Sequence, residues 1–173
     1  MTNKKIKQLV VDAMFIALLV VSSFISIPIN QIPYTLQTLV VFIILLTLPL
    51  KDSMLIFVIY LIMGLIGLPV FSGFTSGITP TLGFIIGFII LPIIYKILNI
   101  IIKIKNQNIL NIINLFICLL ILNVIGTLFY MFIMNLDFLS SLLICVVPFI
   151  LIDVIKILAS ILITNRIKPI LDN

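Results

Sequence analysis

Six long apolar runs dominate the chain, and only a few charged residues interrupt them. They cover approximately residues 8–27, 35–50, 54–68, 82–104, 109–134 and 138–164. A helix that crosses the hydrocarbon core of a bilayer needs about 20 apolar residues. Hydrophobic types make up 64% of the chain and charged types only 9%, whereas a soluble domain carries roughly 45–50% apolar residues. The sequence therefore predicts an integral membrane protein in contact with the lipid bilayer.

The runs are apolar on all sides, which predicts helices. Strands of a membrane barrel would alternate apolar and polar residues over about ten positions. We therefore predict an all-α protein with six transmembrane helices, filling residues 1–173 as one membrane domain. The basic N-terminus resembles a signal peptide, but the run behind it is one membrane thick and lacks a clear cleavage site. We expect it to be a retained first helix.

The basic residues of the loops all fall on one side of this topology. The three opposite loops, residues 28–34, 71–81 and 135–137, contain neither lysine nor arginine. Cytoplasmic loops carry an excess of these residues, so we predict cytoplasmic N- and C-termini and a plasma-membrane location. The net charge of +5 comes largely from these scattered bases, and we expect no nucleic-acid partner.

The residue inventory argues against an enzyme. The chain has no histidine, which removes the most common general base and metal ligand. It has no phosphate-binding GxxxxGK[ST] motif, so it is not expected to hydrolyse ATP itself. Cys118 and Cys145 lie inside apolar runs and are expected to be buried small hydrophobes. We expect no metal site and no cofactor.

The loops without basic residues hold most of the Gly, Pro, Ser, Thr and Gln of the chain. Non-helical backbone persists at membrane depth only where it is buried or lines a cavity. These loops, with Phe71, Phe74 and Phe84 beside them, are therefore candidates for a binding site or a lid. Ordinary extracellular turns are the alternative.

Asp153 and Lys156 lie three residues apart in the middle of the last apolar run, on one face of a helix. An ionisable residue inside a membrane span is costly and tends to face a cavity or a partner. The pair is predicted either to hold a ligand or to neutralise itself while locking helix packing. Pro148, one turn upstream, is expected to bend the helix. Asn123 in the fifth run is either a ligand contact or an interhelical hydrogen bond.

Four motifs in the same order resemble the BioY family, the biotin-specific substrate-binding subunits of energy-coupling factor transporters. They are IPYTLQT at 32–38, YLIMGLIGLPVF at 60–71, PTLGFIIGF at 80–88 and PFILIDVIK at 148–156. The resemblance implies six helices whose outer loops close over one biotin. It also implies delivery through a transmembrane coupling subunit that two cytoplasmic ATPases drive.

The resemblance also assigns residues. Ala13 and Ala17 match an Ala-xxx-Ala patch on the first helix that docks to the coupling subunit, and such small pairs allow close helix approach. Lys156 is expected to meet either the ureido group or the carboxylate of biotin. The expected substrate-binding residues are Gln37, Phe71, Gly73, Phe74, Thr81, Gly83, Phe84, Asn123, Asp153 and Lys156.

Two motifs depart from the family pattern. The family has Gly-Pro-Thr-Gly-Gly-Tyr where this chain has Thr79, Leu82 and Phe84 in place of the first glycine, the second glycine and the tyrosine, and Phe84 removes one hydroxyl. The family also has Pro-Gly before the aspartate, where this chain has Leu151 and Ile152. Two alternatives therefore stay open: a subunit of the same class for another small vitamin, and a structural membrane protein whose charge pair only joins helices.

Overall fold

The computed structural model describes residues 3–29 and 32–172 and is built mainly from helices. The prediction of a mostly helical chain is confirmed. Within the described residues, four segments are long and apolar enough to cross a membrane: Lys4–Phe24, Leu82–Ile101, Gln107–Met134 and Phe138–Leu171. The elements are α1 (Asn3–Phe24), β1 (Ser26–Ile29), β2 (Ile32–Thr35), α2 (Gln37–Thr47), α3 (Leu50–Leu65), α4 (Leu82–Ile101), α5 (Gln107–Met134), α6 (Phe138–Cys145), a 3₁₀ turn (Val147–Phe149) and α7 (Ile150–Asp172).

A short β-hairpin is the element that the all-α prediction missed. β1 and β2 pair antiparallel, with Ser26 opposite Thr35 and Ile27 opposite Tyr34. Pro28 and Pro33 face each other across the hairpin. Proline lacks an amide hydrogen and disfavours helix at the residue before it, so the chain leaves α1 at Phe24 rather than at residue 27.

The run predicted as one helix over 138–164 is divided. α6 ends at Cys145, and α7 begins at Ile150 after the 3₁₀ turn that contains Pro148. The proline ring would clash with the preceding turn of a continuous α-helix, and its nitrogen has no hydrogen to donate. A break therefore occurs at this point. α7 then runs beyond residue 164 to Asp172.

α2 lies at the centre of the molecule. All residues from Val40 to Leu46 are buried, and α1, α3, α4 and α7 all contact this helix. A helix that is apolar on every side is typical of a fully enclosed position. With 11 residues, α2 is shorter than the roughly 20 residues of a membrane-crossing helix.

Hydrogen bonds between distant segments define the two ends of the molecule. At one end, the Ser23 hydroxyl at the end of α1 donates to the Val70 carbonyl at 2.7 Å. At the other end, the Asn165 amide donates to Asn108 at 3.4 Å, and the Lys168 ammonium donates to the Leu46 carbonyl at 3.5 Å. The hairpin and the loop 66–81 therefore lie at one end, opposite the start of α5 and the end of α7.

The Val70 carbonyl is one of the points that fasten the loop 66–81 to the helices. Val70 accepts a second hydrogen bond from the Tyr60 hydroxyl at 2.8 Å, in addition to the one from Ser23. The next residue, Phe71, is fully buried. Its ring occupies the space that a side chain at Gly64 would fill. The loop is thus fastened to both α1 and α3.

We predict that Ser23→Ala and Tyr60→Phe are each tolerated and that the double variant is not. In each single variant one hydroxyl stays within hydrogen-bond distance of the buried Val70 carbonyl, and in Tyr60→Phe the Ser23 hydrogen can turn from the Val20 carbonyl to Val70. Losing both leaves a buried acceptor without a partner, which costs about 1–3 kcal/mol. Denaturant unfolding of the detergent-purified protein measures this difference. Purely additive losses would contradict the shared-acceptor arrangement.

Candidate functional site

A cavity lies at the hairpin end, where β2, the loop 66–81 and the helices α2, α4, α5 and α7 meet. Its walls combine aromatic and aliphatic side chains with a small number of polar groups, which is the usual composition of a small-molecule site. The polar and charged side chains that line it are Tyr34, Thr35, Gln37, Thr38, Ser72, Thr81, Asn123, Asp153 and Lys156.

Asp153 and Lys156 form an ion pair in this cavity. The ammonium nitrogen of Lys156 donates to Oδ1 of Asp153 at 3.0 Å. The residues are only 7% and 5% exposed, so each charge depends on the other. The break at Pro148 places Asp153 in the first turn of α7, where the helix dipole favours a negative charge.

Tyr34 covers the charged end of Lys156. The ammonium lies 4.1 Å from the centroid of the tyrosine ring, which is the geometry of a cation–π contact. The same ring stacks on Phe149 with 5.8 Å between the centroids. Burial, and then the negative charge of Asp153, raise the pKa of Tyr34 to about 12.

Two buried polar atoms in the cavity wall make no hydrogen bond within the described part of the chain. They are Nε2 of Gln37 and Oγ of Ser72. Nε2 of Gln37 lies near the Tyr60 hydroxyl, whose oxygen can accept from this amide while its hydrogen is donated to the Val70 carbonyl. A buried polar atom without a partner costs free energy. Oγ of Ser72 is therefore available to a bound molecule.

The structure brings together six of the ten predicted binding residues. Thr81 lies just before α4, and its hydroxyl is 3.2 Å from that of Thr79. Asn123 belongs to the middle of α5. The six residues that line the cavity are Gln37, Thr81, Phe84, Asn123, Asp153 and Lys156.

Phe71 and Gly83 lie in helix packing rather than in the cavity wall. The Phe71 ring packs against Tyr60, with 5.6 Å between the centroids, and covers Gly64. Gly83 faces α5, where a β-carbon would lie 2.2 Å from Cβ of Phe129. Both residues were predicted as ligand contacts because they belong to the loop motifs. The surface that each residue faces is set by packing partners that the motifs do not show.

Gly73 and Phe74 lie on the outer side of the loop. Both have left-handed backbone, with φ of 71° at Gly73 and 58° at Phe74. This turn directs Phe74 outward, where it is 65% exposed. Its ring stacks on Phe24 with 4.2 Å between the centroids, so it packs against the end of α1.

Tyr34 and Ser72 line the cavity but were not among the expected site residues, although both lie in or beside the quoted motifs. Phe149 and Cys145 also line the cavity. The prediction that both cysteines are buried is confirmed, but only Cys145 is among the cavity-lining residues. Side chains of a strand alternate between its two faces. Recognising a strand at residues 32–35 would therefore have placed Tyr34 on the same face as the apolar Ile32.

Ala13 and Ala17 lie on the outer face of α1, away from the cavity. Both are exposed, and the large apolar side chains around them are exposed as well, namely Val10, Met14, Leu18 and Val21. This face is therefore apolar and has a shallow strip of small residues along it.

The apolar helices and the partly polar cavity define a helical membrane protein whose cavity has the mixed lining of a small-molecule site. The model of the BioY family matches residues 1–173. The chain belongs to the BioY family, as its motifs predicted.

Curated relatives share much of the sequence. The chain is 35% identical over 162 residues to Biotin transporter BioY2 of Lactococcus lactis, covering 90% of this chain and 87% of the relative. It is 40% identical over 88 residues to Biotin transporter BioY of Thermotoga maritima, covering 49% and 52% respectively. A solved structure, the S-component for biotin from an ECF-type ABC transporter, superposes with a TM-score of 0.87 over 98% of this chain and 94% of that one, at 24% identity. That likeness shows a shared fold.

We predict that breaking the ion pair harms the protein more than removing both charges. Lys156→Met leaves the Asp153 carboxylate buried without its partner, which lowers the free energy of unfolding by about 3–5 kcal/mol. The double variant Asp153→Asn, Lys156→Met recovers most of this loss because no unpaired charge remains. Unfolding in detergent measures both effects. A double variant as unstable as the single one would contradict the paired arrangement.

Proposed function

We propose that this protein is the biotin-binding S component of an energy-coupling factor uptake transporter. The observation that carries the proposal is the buried Asp153–Lys156 pair in the wall of a cavity. Membership of the BioY family and a relative named as a biotin transporter that covers most of the chain support biotin as the ligand.

The chemistry of the cavity suits the ureido ring of biotin. A cyclic urea presents an N–H group and a carbonyl oxygen side by side. The Asp153 carboxylate accepts from the N–H, and the Lys156 ammonium donates to the oxygen. A ligand carboxylate would suit the pair less well, because Asp153 would repel it. We therefore assign the ureido ring to the pair.

The remaining walls suit the rest of the ligand. Phe84 and Phe149 offer ring faces, and Leu119 and Leu122 offer apolar surface for the bicyclic core and the aliphatic tail. Oγ of Ser72 has no hydrogen-bond partner among the described residues, and it can bond a polar atom of the ligand.

We propose six membrane crossings, with α6 and α7 together forming the sixth, in the plasma membrane. Eight of the ten basic residues lie in α1, at the start of α3, in the loop after α4 or near the end of α7. Their positions at the end opposite the hairpin favour cytoplasmic termini under the positive-inside rule. The cavity then faces the outside, from which a vitamin would be captured.

The partners follow from the type of transporter. An S component has no ATPase of its own, so we propose a transmembrane coupling subunit and two cytoplasmic ATPase subunits as partners. The exposed small residues Ala13 and Ala17 on α1 would let a helix of the coupling subunit approach closely. The chain itself binds and releases the ligand without catalysing a reaction.

A second candidate ligand is another small vitamin. The absence of a tyrosine hydroxyl at Phe84, a residue that lines the cavity, favours it, because one hydrogen bond to the ligand would be lost. Competition of labelled biotin with a panel of vitamins separates the two. Biotin alone should compete at stoichiometric concentration.

We predict that the charge-free variant Asp153→Asn, Lys156→Met folds but binds biotin at least about 100-fold more weakly. Hydrogen bonds to charged groups contribute about 1.5–3 kcal/mol each, and two are lost. Isothermal titration of the purified protein measures the dissociation constant. Lys96→Met, which removes a lysine that is not among those lining the cavity, is the matched control and should bind like wild type. Unchanged affinity in the charge-free variant would support a purely structural pair.

We also predict that Ala13→Arg with Ala17→Arg prevents assembly while biotin binding is kept. The long charged side chains would separate α1 from a packed helix, and the cavity is on another face. Copurification with the coupling subunit and ATPases measures assembly, and titration measures binding. An intact complex would rule out this face as the docking surface.

A further inference from the structure

Glycines set the contact between α4 and α5, which is the most extensive helix pair in the fold. Gly83 of α4 receives Phe129 of α5. One turn further along, Gly87 receives Leu122. In the opposite direction, Gly126 of α5 receives the ring of Phe84 from α4.

The notch at Gly126 leaves no room for a side chain. A β-carbon there would lie 2.3 Å from Cε1 and 2.3 Å from Cζ of the Phe84 ring. Non-bonded carbon atoms pack at about 3.5–4.0 Å. Gly126 lies inside α5 and is not among the positive-φ residues. Close approach of the ring, rather than backbone freedom, therefore explains the glycine.

The Phe84 ring, which packs against Gly126, also lines the cavity. Asn123, which lies on α5 one turn before Gly126, lines the same cavity. Phe129, which Gly83 receives, is not among the lining residues. Displacing the Phe84 ring from α5 therefore moves it toward the cavity, whereas a change at the Gly83 notch alters helix packing only.

We propose that Gly126 is a specificity-determining position. Because Gly126 has no side chain, the Phe84 ring packs directly against α5, and this position of the ring sets the width of the cavity. The ring then leaves space for a fused two-ring ligand. With a side chain at position 126, the ring would narrow the cavity and favour a thinner ligand. This inference rests on the proposed function, since the ligand tested is biotin.

The first test is a double-mutant cycle with two ligands. Gly126→Ala should raise the dissociation constant for biotin at least tenfold and that for desthiobiotin, which has one ring, by less than threefold. In a Phe84→Ala background, the same glycine substitution should change biotin affinity less than twofold, because alanine has no ring or δ-carbon near Gly126. Isothermal titration gives all four values for each ligand.

Helix loss is not the expected cause of weaker binding, because alanine forms helix better than glycine. An equal loss for both ligands, or the same loss in both backgrounds, would overturn the inference and assign Gly126 to packing alone. Unchanged biotin affinity in Gly126→Ala would overturn it as well.

A measurement without ligand separates this inference from the proposed function. With 4-fluorophenylalanine at position 84, the ¹⁹F resonance should shift when Gly126→Ala is introduced, because the ring leaves its seat. If the wild-type protein does not bind biotin but the resonance still shifts, the assignment of biotin as the ligand is wrong, and the packing of the Phe84 ring against Gly126 is supported. An unshifted resonance would overturn the seating itself.

Discussion

The buried ion pair between Asp153 and Lys156 is the interaction on which the site depends. Two opposite charges with 3.0 Å between their atoms can remain in a membrane interior only if each is compensated. The fold supplies that compensation from several elements. The break at Pro148 gives Asp153 a helix N-terminus, and β2 brings the Tyr34 ring over Lys156. The pair is thus self-neutral yet lines a cavity, so a ligand with an adjacent donor and acceptor can join it without adding net charge.

The space for that ligand comes from the short central helix. α2 is enclosed by its neighbours and ends well short of a full membrane thickness. The hairpin and the loop 66–81 close the volume that remains beyond it. Glycine notches between α4 and α5 keep the facing wall flat by receiving Phe84 and Leu122. The cavity is therefore a consequence of one enclosed helix and one closely packed helix pair.

The sequence predicts the helices well, because an apolar run in a membrane protein has few other structures available. It also predicts the charge pair, because a spacing of three residues in a helix fixes a shared face. It does not predict which way a loop side chain points. Phe71 fills the notch at Gly64 and Phe74 turns outward, although both looked equivalent in the sequence. Tyr34 was missed because its contact with Lys156 joins segments from opposite ends of the chain.

The most direct test of the ligand role of the pair is a structure of the protein crystallised with biotin. The ureido ring should lie against Asp153 and Lys156, with its N–H near the carboxylate and its oxygen near the ammonium. The bicyclic core should rest on the Phe84 ring, with that ring still seated against Gly126. Biotin bound elsewhere, or bound with its carboxylate on Lys156, would contradict this arrangement and return the pair to a role in helix packing or to a different ligand group.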